Sequence, residues 1–378
     1  MPEQSGRIEQ PSWKLFTPGP VAIEEHILAI GAKQPPYNRT EDFSELTHDV
    51  LRGLKYLFQT DGSVALLTGS GTAAMEAAVL NFLNASDRVL IVNGGTFGQR
   101  WCDLCDTYSI AYDEIDVPIG TDLDLSDLAV QLSDNRYSAL LINAHETSIG
   151  QLYDIEAIGQ LAHRHDVFFI VDAISSICAD QFAMDRWHVD VAILSSQKAL
   201  ALPPGLSFVA MSKEAVTRLR RGHPKSLYFD LANYLANQQR GQLPYTPAIG
   251  LLLQLHQRLL DIQDKTLPAL VLEHQERAES FRAVLDDPEL SAFRILPARS
   301  SNAMTALWCD GLDAEEVVEE LRIQHDIVVA PSGGSLKSHV IRIAHMGAQK
   351  DADIASLISA LRGISSRAAH SLVERVEA

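Results

Sequence analysis

The chain has 378 residues, with 31 Lys and Arg against 49 Asp and Glu, a formal net charge of −18. That balance argues against nucleic acid and the anionic membrane leaflet as partners, because their binders use Lys and Arg to displace counterions. A hydrophobic fraction of 46% with 21% charged residues excludes disorder as the main state, and the length predicts two or three domains around sizeable cores.

No stretch reaches the roughly 20 apolar residues of a membrane helix, and residues 1–10 are polar, without a signal-peptide apolar segment. Four scattered cysteines, Cys102, Cys105, Cys178 and Cys309, are too few for a disulfide framework in a chain this long. A soluble protein of the reduced cytoplasm is the expectation.

From about residue 60 to 212, short apolar runs alternate with stretches of helical period, the pattern of β-α-β units and a largely parallel sheet. Strands are expected at 63–68, 88–93, 139–143, 167–172, 189–194 and 207–211, with helices at 73–83, 98–107 and 155–165. Each strand but the last ends in small or polar residues, so polar material collects outside the carboxyl edge of the sheet, where open α/β sheets bind ligands. Beyond residue 212 the chain turns basic, then Gln-rich. A long helical period follows over 249–285, broken near Thr266-Leu267-Pro268. Strands at 303–308, 327–330 and 340–344 with a helix at 314–325 predict a small α+β domain after about residue 260.

Three features carry chemistry. Thr68-Gly69-Ser70-Gly71-Thr72 follows a strand and opens a helix of good formers, so its backbone can meet a phosphate at the helix N-terminus. A capped tight turn is the plain alternative. The loop lacks the lysine of a P-loop and the third glycine of a dinucleotide motif. Asp172 ends the apolar run Phe168-Phe169-Ile170-Val171, and Lys198 follows the run Ala192-Ile193-Leu194. About one β-α-β unit separates them. Adjacent strands would bring both to one crevice, where desolvation lowers a lysine's pKa toward use as an amine nucleophile. A buried ion pair or two solvent-facing loop residues are the bland readings. Phosphate cradle, acid and lysine together suit pyridoxal phosphate, with lysine as the Schiff-base former and the acid keeping the pyridine nitrogen protonated.

In that order along the chain, these segments resemble the class V aminotransferases of fold type I, in the branch of the alanine/serine–glyoxylate and 2-aminoethylphosphonate–pyruvate transaminases. The resemblance also rests on Thr17-Pro18-Gly19-Pro20, Asn93-Gly94-Gly95-Thr96-Phe97-Gly98-Gln99-Arg100, His145-Glu146-Thr147-Ser148-Ile149-Gly150, Pro203-Pro204-Gly205 and Arg342-Ile343-Ala344-His345-Met346-Gly347. It implies an α/β fold with a mainly parallel sheet in a large domain and a smaller C-terminal α+β domain. The divisions are an N-terminal segment 1–20 near the active site, a large cofactor domain 21–260 and a small domain 261–378.

By the same resemblance Lys198 holds the cofactor and moves the proton, and Asp172 partners the pyridine nitrogen. Ser70, Gly71, Thr72 and Gln197 hold the phosphate, Phe97 stacks on the ring where relatives have Trp or Tyr, and Thr147 lies beside it. Thr246 would reach the phosphate of a second subunit, although the tyrosine some relatives carry three residues earlier is Leu243 here. Arg342 clamps the substrate carboxylate, the turn at Gly19 shapes the nearby wall, and Arg39 lines the entrance. A homodimer with shared sites, a small amino donor and a small 2-oxo acid are implied as partners, with no metal. A lyase or desulfurase of the same superfamily, or a non-catalytic binding protein of that fold, are the competing readings. Gln197 rather than histidine before the lysine favours transamination. Cys102-Asp103-Leu104-Cys105 has no second cysteine pair and sits in an expected helix, so a zinc or redox role is disfavoured.

Overall fold

Runs rich in Val, Ile, Leu and Phe pair into one seven-stranded sheet in the computed structural model, which describes residues 13–134, 136–222 and 224–377. Residues 1–12 of the expected N-terminal segment, and the polar start at 1–10, lie outside the described residues. The strands are β1 (Ser63–Thr68), β2 (Arg88–Asn93), β3 (Ala111–Asp116), β4 (Ala139–Asn143), β5 (Phe168–Asp172), β6 (Val191–Ser195) and β7 (Leu206–Met211). Their order is β1-β7-β6-β5-β4-β2-β3. Only β7 runs antiparallel to its neighbours. Every residue of β4 to β7 is buried, so both sheet faces are covered, as parallel sheets require.

β3 was not expected. Its sequence Ala-Tyr-Asp-Glu-Ile-Asp lies at the sheet edge and buries only Ile115, so no apolar run marks it. The 18-residue helix Glu41–Phe58 was also unexpected, yet it buries Phe43, Val50, Leu54 and Leu57, and its N-cap Thr40 accepts from Phe43 N. Gly53 lets it approach the next long helix, since a Cβ there would lie 2.9 Å from Leu259 Cδ1. The helical period over 249–285 breaks at Thr266, whose φ is 72° and whose hydroxyl accepts from Ala269 N, giving helices Ile249–Lys265 and Leu267–Val284.

A second, antiparallel sheet has the order β8 (Phe293–Ile295), β9 (Met304–Cys309), β11 (Val340–Ala344) and β10 (Ala330–Pro331). With the helices Ala314–His325 and Asp351–Glu377 it encloses a separate core around Leu307, Leu321, Ile341, Ile343 and Leu361. Phe16 belongs to that core, and its backbone bonds to Val328 O and Ala344 N at 2.8 Å each. The chain just after Phe16 is thereby fixed between the two sheets. No helix among the described residues is long and apolar enough to cross a membrane.

Candidate active site

One pocket gathers the polar strand ends of the large sheet. At its first wall, β1 leads through Gly69 into the helix Gly71–Phe82. Ser70 is the N-cap in extended conformation, and its hydroxyl makes no capping bond. Ala73 N donates to Ser70 O at 2.9 Å, while the N–H groups of Gly71 and Thr72 before it have no acceptor within the helix, which leaves them for an anion. Gly71 packs closely here, since a Cβ would sit 2.4 Å from Ile174 Cδ1 and 3.3 Å from Ser195 Oγ. Thr72 Oγ1 accepts from Arg100 Nη1 at 3.2 Å.

The second wall is the start of the helix Thr96–Thr107. Its N-cap is Gly95, which has no side chain to cap with. Glu146 performs that task from another segment, accepting from Phe97 N at 3.1 Å, Gly98 N at 2.8 Å and Ser148 N at 3.0 Å. Burial raises the Glu146 carboxyl above its usual range, and the Ser148 hydroxyl and these N–H groups oppose the shift. The Phe97 ring is thereby set beside Arg100, whose Cζ lies 4.9 Å from the ring centroid.

The floor carries the acid and the lysine. β5 and β6 are adjacent and parallel, which places both at one sheet edge. Asp172 stands opposite Asn143 in register. Its carboxylate accepts from Asn143 Nδ2 and from Ile174 N, each at 2.8 Å. Burial pushes this carboxyl up to about 6 against the Ile174 N–H, with Glu146 adding to the rise and Lys198 resisting it. Lys198 Nζ donates to Pro18 O at 2.6 Å. Burial, then the charge of Arg342, brings its amine down to about 8, with Asp172 opposing. Gly19 makes this contact feasible: its φ is +135°, and a Cβ would lie 2.7 Å from Lys198 Cδ and 2.9 Å from Nζ.

Beside them Thr147 Oγ1 and Ser175 Oγ share a hydrogen bond of 2.7 Å. His145 Nδ1 meets Ser175 O at 3.3 Å, so Nδ1 carries the proton and Nε2 is bare. Burial, with the charges of Lys198 and Arg342, pushes this imidazole down to about 3 and keeps it neutral. Arg342, on β11, donates through Nε and Nη2 to Pro331 O and through Nη1 to Thr147 O. It has no ion pair with any described residue.

Ser70, Gly71, Thr72, Phe97, Thr147, Asp172, Gln197 and Lys198 therefore share one pocket, with Gly19 against Lys198 and Arg342 joined through Thr147. Two expected residues lie elsewhere in this chain. Arg39 is exposed and donates to Gln242 Oε1 and Leu243 O, so it braces the segment leading to Thr246 rather than the pocket wall. Thr246 is exposed and outside the lining. Arg100, Asn143, His145, Glu146 and Ser175 were not singled out from the sequence. The signal for His145, Glu146 and Ser175 was their position in the polar stretches after strand ends, and for Asn143 its place as the polar last residue of β4; Arg100, inside the helix Thr96–Thr107, had no such signal.

A larger groove, about 960 Å³, lies at the opposite edge of the sheet, between Asp61, His163, Asp190 and Arg218. Its acids and bases are intermixed, and Arg218 already binds Phe82 O and Asp87.

The pocket suits a phosphate-bearing heteroaromatic ring. Besides the N–H groups of Gly71 and Thr72, buried Asn143 Oδ1, His145 Nε2 and Gln197 Oε1 have no protein partner, and such groups are costly unless a ligand or water meets them.

The comparisons agree. A family model described as aminotransferase class-V matches residues 34–350. The chain is 33% identical over 354 residues to the soluble hydrogenase small subunit of Synechococcus sp. (strain PCC 6716), covering 93% of this chain and 92% of that one. It is 31% identical over 341 residues to serine–glyoxylate aminotransferase of Arabidopsis thaliana, covering 88% and 85%. The crystal structure of alanine–glyoxylate aminotransferase from Nostoc sp. superposes with a TM-score of 0.89 at 28% identity over 96% of this chain and 97% of that one. A mostly parallel sheet with a lysine and an acid at its carboxyl edge, in a chain so related, is the fold type I architecture of a transaminase whose cofactor is pyridoxal phosphate: the protein belongs to the class-V aminotransferase family.

Proposed function

We propose that the enzyme moves an amino group from a small donor, alanine, serine or an aminophosphonate, to a small 2-oxo acid, pyruvate or glyoxylate, in two half-reactions with ping-pong kinetics. The observation that carries this reading is Asp172 at the end of β5 and Lys198 in the turn just after the adjacent β6, with Arg342 free of any ion pair among the described residues. The names of the Arabidopsis and Nostoc relatives, both glyoxylate aminotransferases, support the acceptor.

When bound, pyridoxal phosphate supplies a ring that takes up the electron pair released at the substrate Cα. This chain's residues do the rest. Ser70, Gly71, Thr72 and Gln197 hold the phosphate, Phe97 covers the ring, and Thr147 lies beside it. Asp172, braced by Asn143 and Ile174 N, keeps a proton on the ring nitrogen. A cation at that place offsets the burial of the carboxylate, which then stays ionised. Lys198, with an amine brought down to about 8, is partly neutral near pH 7, so its Nζ would serve as the amine that holds the cofactor and as the base that carries the substrate Cα proton. A guanidinium has five N–H donors, and three N–H bonds tie Arg342 to backbone carbonyls. The remaining donors are free for a substrate carboxylate, which needs two.

We also propose that the chain works as a cytoplasmic homodimer, divided near residue 260 into large and small domains, in which Thr246 reaches the phosphate of the neighbouring site and Arg39 lines the entrance. The exposure of Thr246 and the bonds of Arg39 to Gln242 and Leu243 just before it support this. The desulfurase alternative needs a reactive thiol. All four cysteines are buried, and burial pushes each thiol up to about 12.

The test is a half-reaction screen. Alanine, serine, 2-aminoethylphosphonate and cysteine are added singly to the cofactor-loaded protein while its visible absorbance is followed. At least one of the first three should bleach it, and pyruvate or glyoxylate should restore it. Sulfide release from cysteine without bleaching would overturn the proposal.

A further inference from the structure

The loop Gly69-Ser70-Gly71-Thr72 offers a phosphate only uncharged donors, for it contains no lysine or arginine. A phosphate dianion in a pocket already lined by Asp172, with Glu146 buried behind the start of the helix Thr96–Thr107, needs a cation near it. Lys198 is engaged with Pro18 O, and Arg342 is tied to Thr147 O and Pro331 O on the far wall. Arg100 is the remaining cation in the lining. It reaches Thr72 Oγ1 with one nitrogen and lies over Phe97, yet it pairs with no carboxylate among the described residues. Asp172 and the nearby buried Glu146 are satisfied elsewhere, Asp172 by two donors and Glu146 by backbone N–H groups and Ser148. A half-buried guanidinium held by one hydroxyl and one ring, with most of its donors unspent, is a group prepared for an anion.

We propose that Arg100 is the cation of the phosphate site, ordering Thr72 with Nη1 and presenting its other N–H groups to the cofactor phosphate. The inference rests on the reading of this pocket as the cofactor site and adds to it a residue from a second helix. Arg342 then serves the substrate alone.

The phosphate itself is the handle for the test. Apo-protein binds pyridoxal phosphate and, separately, pyridoxal, which lacks the phosphate, and the two dissociation constants are measured by equilibrium dialysis. Arg100→Met should lower the preference for the phosphorylated form about tenfold or more while pyridoxal binds within about twofold of wild type. Arg100→Lys, which keeps the charge, should recover most of the preference. An unchanged ratio in Arg100→Met, or an equal loss for both ligands, would overturn the role of Arg100. If the wild type itself shows no preference, the pocket is not the phosphate site, and both readings fall.

Discussion

Replacing Gly19 by alanine should leave the fold standing and remove most of the activity. At φ +135° an L residue is strained by about 1–3 kcal/mol, small against the usual total of about 5–15 kcal/mol. The new Cβ would lie 2.7 Å from Lys198 Cδ and 2.9 Å from Nζ, whereas carbon atoms rest about 3.5–4.0 Å apart. The lysine is flexible and yields by about 1 Å, which breaks its 2.6 Å bond to Pro18 O. A misplacement of about that size costs on the order of 10²-fold in rate. Gly334→Ala is the control, because Gly334 also has positive φ, +57°, but has nothing within 4 Å of a Cβ. It should lose about 1 kcal/mol and no rate. Thermal melts and steady-state rates on both variants decide the matter. A Gly19→Ala enzyme within about twofold of the wild-type rate would refute the claim that this turn positions Lys198.

Three further outcomes follow from the site. The Asp172 carboxyl is raised from 3.8 to about 6, so the folded apo-protein binds more protons than the unfolded chain in that window. Its contribution to stability is lost as pH rises toward 6, at most about 3 kcal/mol. Apo Asp172→Asn should therefore melt higher than wild type at pH 8, with Asn143 turning its unpartnered Oδ1 toward the new amide, and should be inactive; a lower melting temperature contradicts this. Lys198 should combine with added cofactor faster as pH rises through about 8, as read by stopped-flow absorbance, and a midpoint above 10 would contradict its desolvation. Arg342→Gln should raise the KM for the oxo acid about 10–100-fold, and an unchanged KM would remove Arg342 from the site.

Much of the sheet was legible because buried parallel strands read as continuous apolar runs. β1, β2, β4 and β11 have the expected bounds, as does the helix Ala314–His325. β3 was not, because an edge strand with Asp113, Glu114 and Asp116 buries too little to leave a pattern. The helix Glu41–Phe58 could have been found from Thr40 and the spacing of Phe43, Val50, Leu54 and Leu57. In the site, residues at strand ends were legible, since strand adjacency alone brings Asp172 and Lys198 together. Glu146 was hidden because its role, capping a helix from another segment, exists only after folding. Pro18 O against Lys198 likewise depends on Phe16 being held by the second core.

We propose Lys198 as the residue that would bond covalently to pyridoxal phosphate. Borohydride reduction of the cofactor-loaded protein, followed by peptide mass mapping, tests it directly. A single stable adduct on the peptide containing Lys198 is the expected result. An adduct on another lysine, or none, would contradict it.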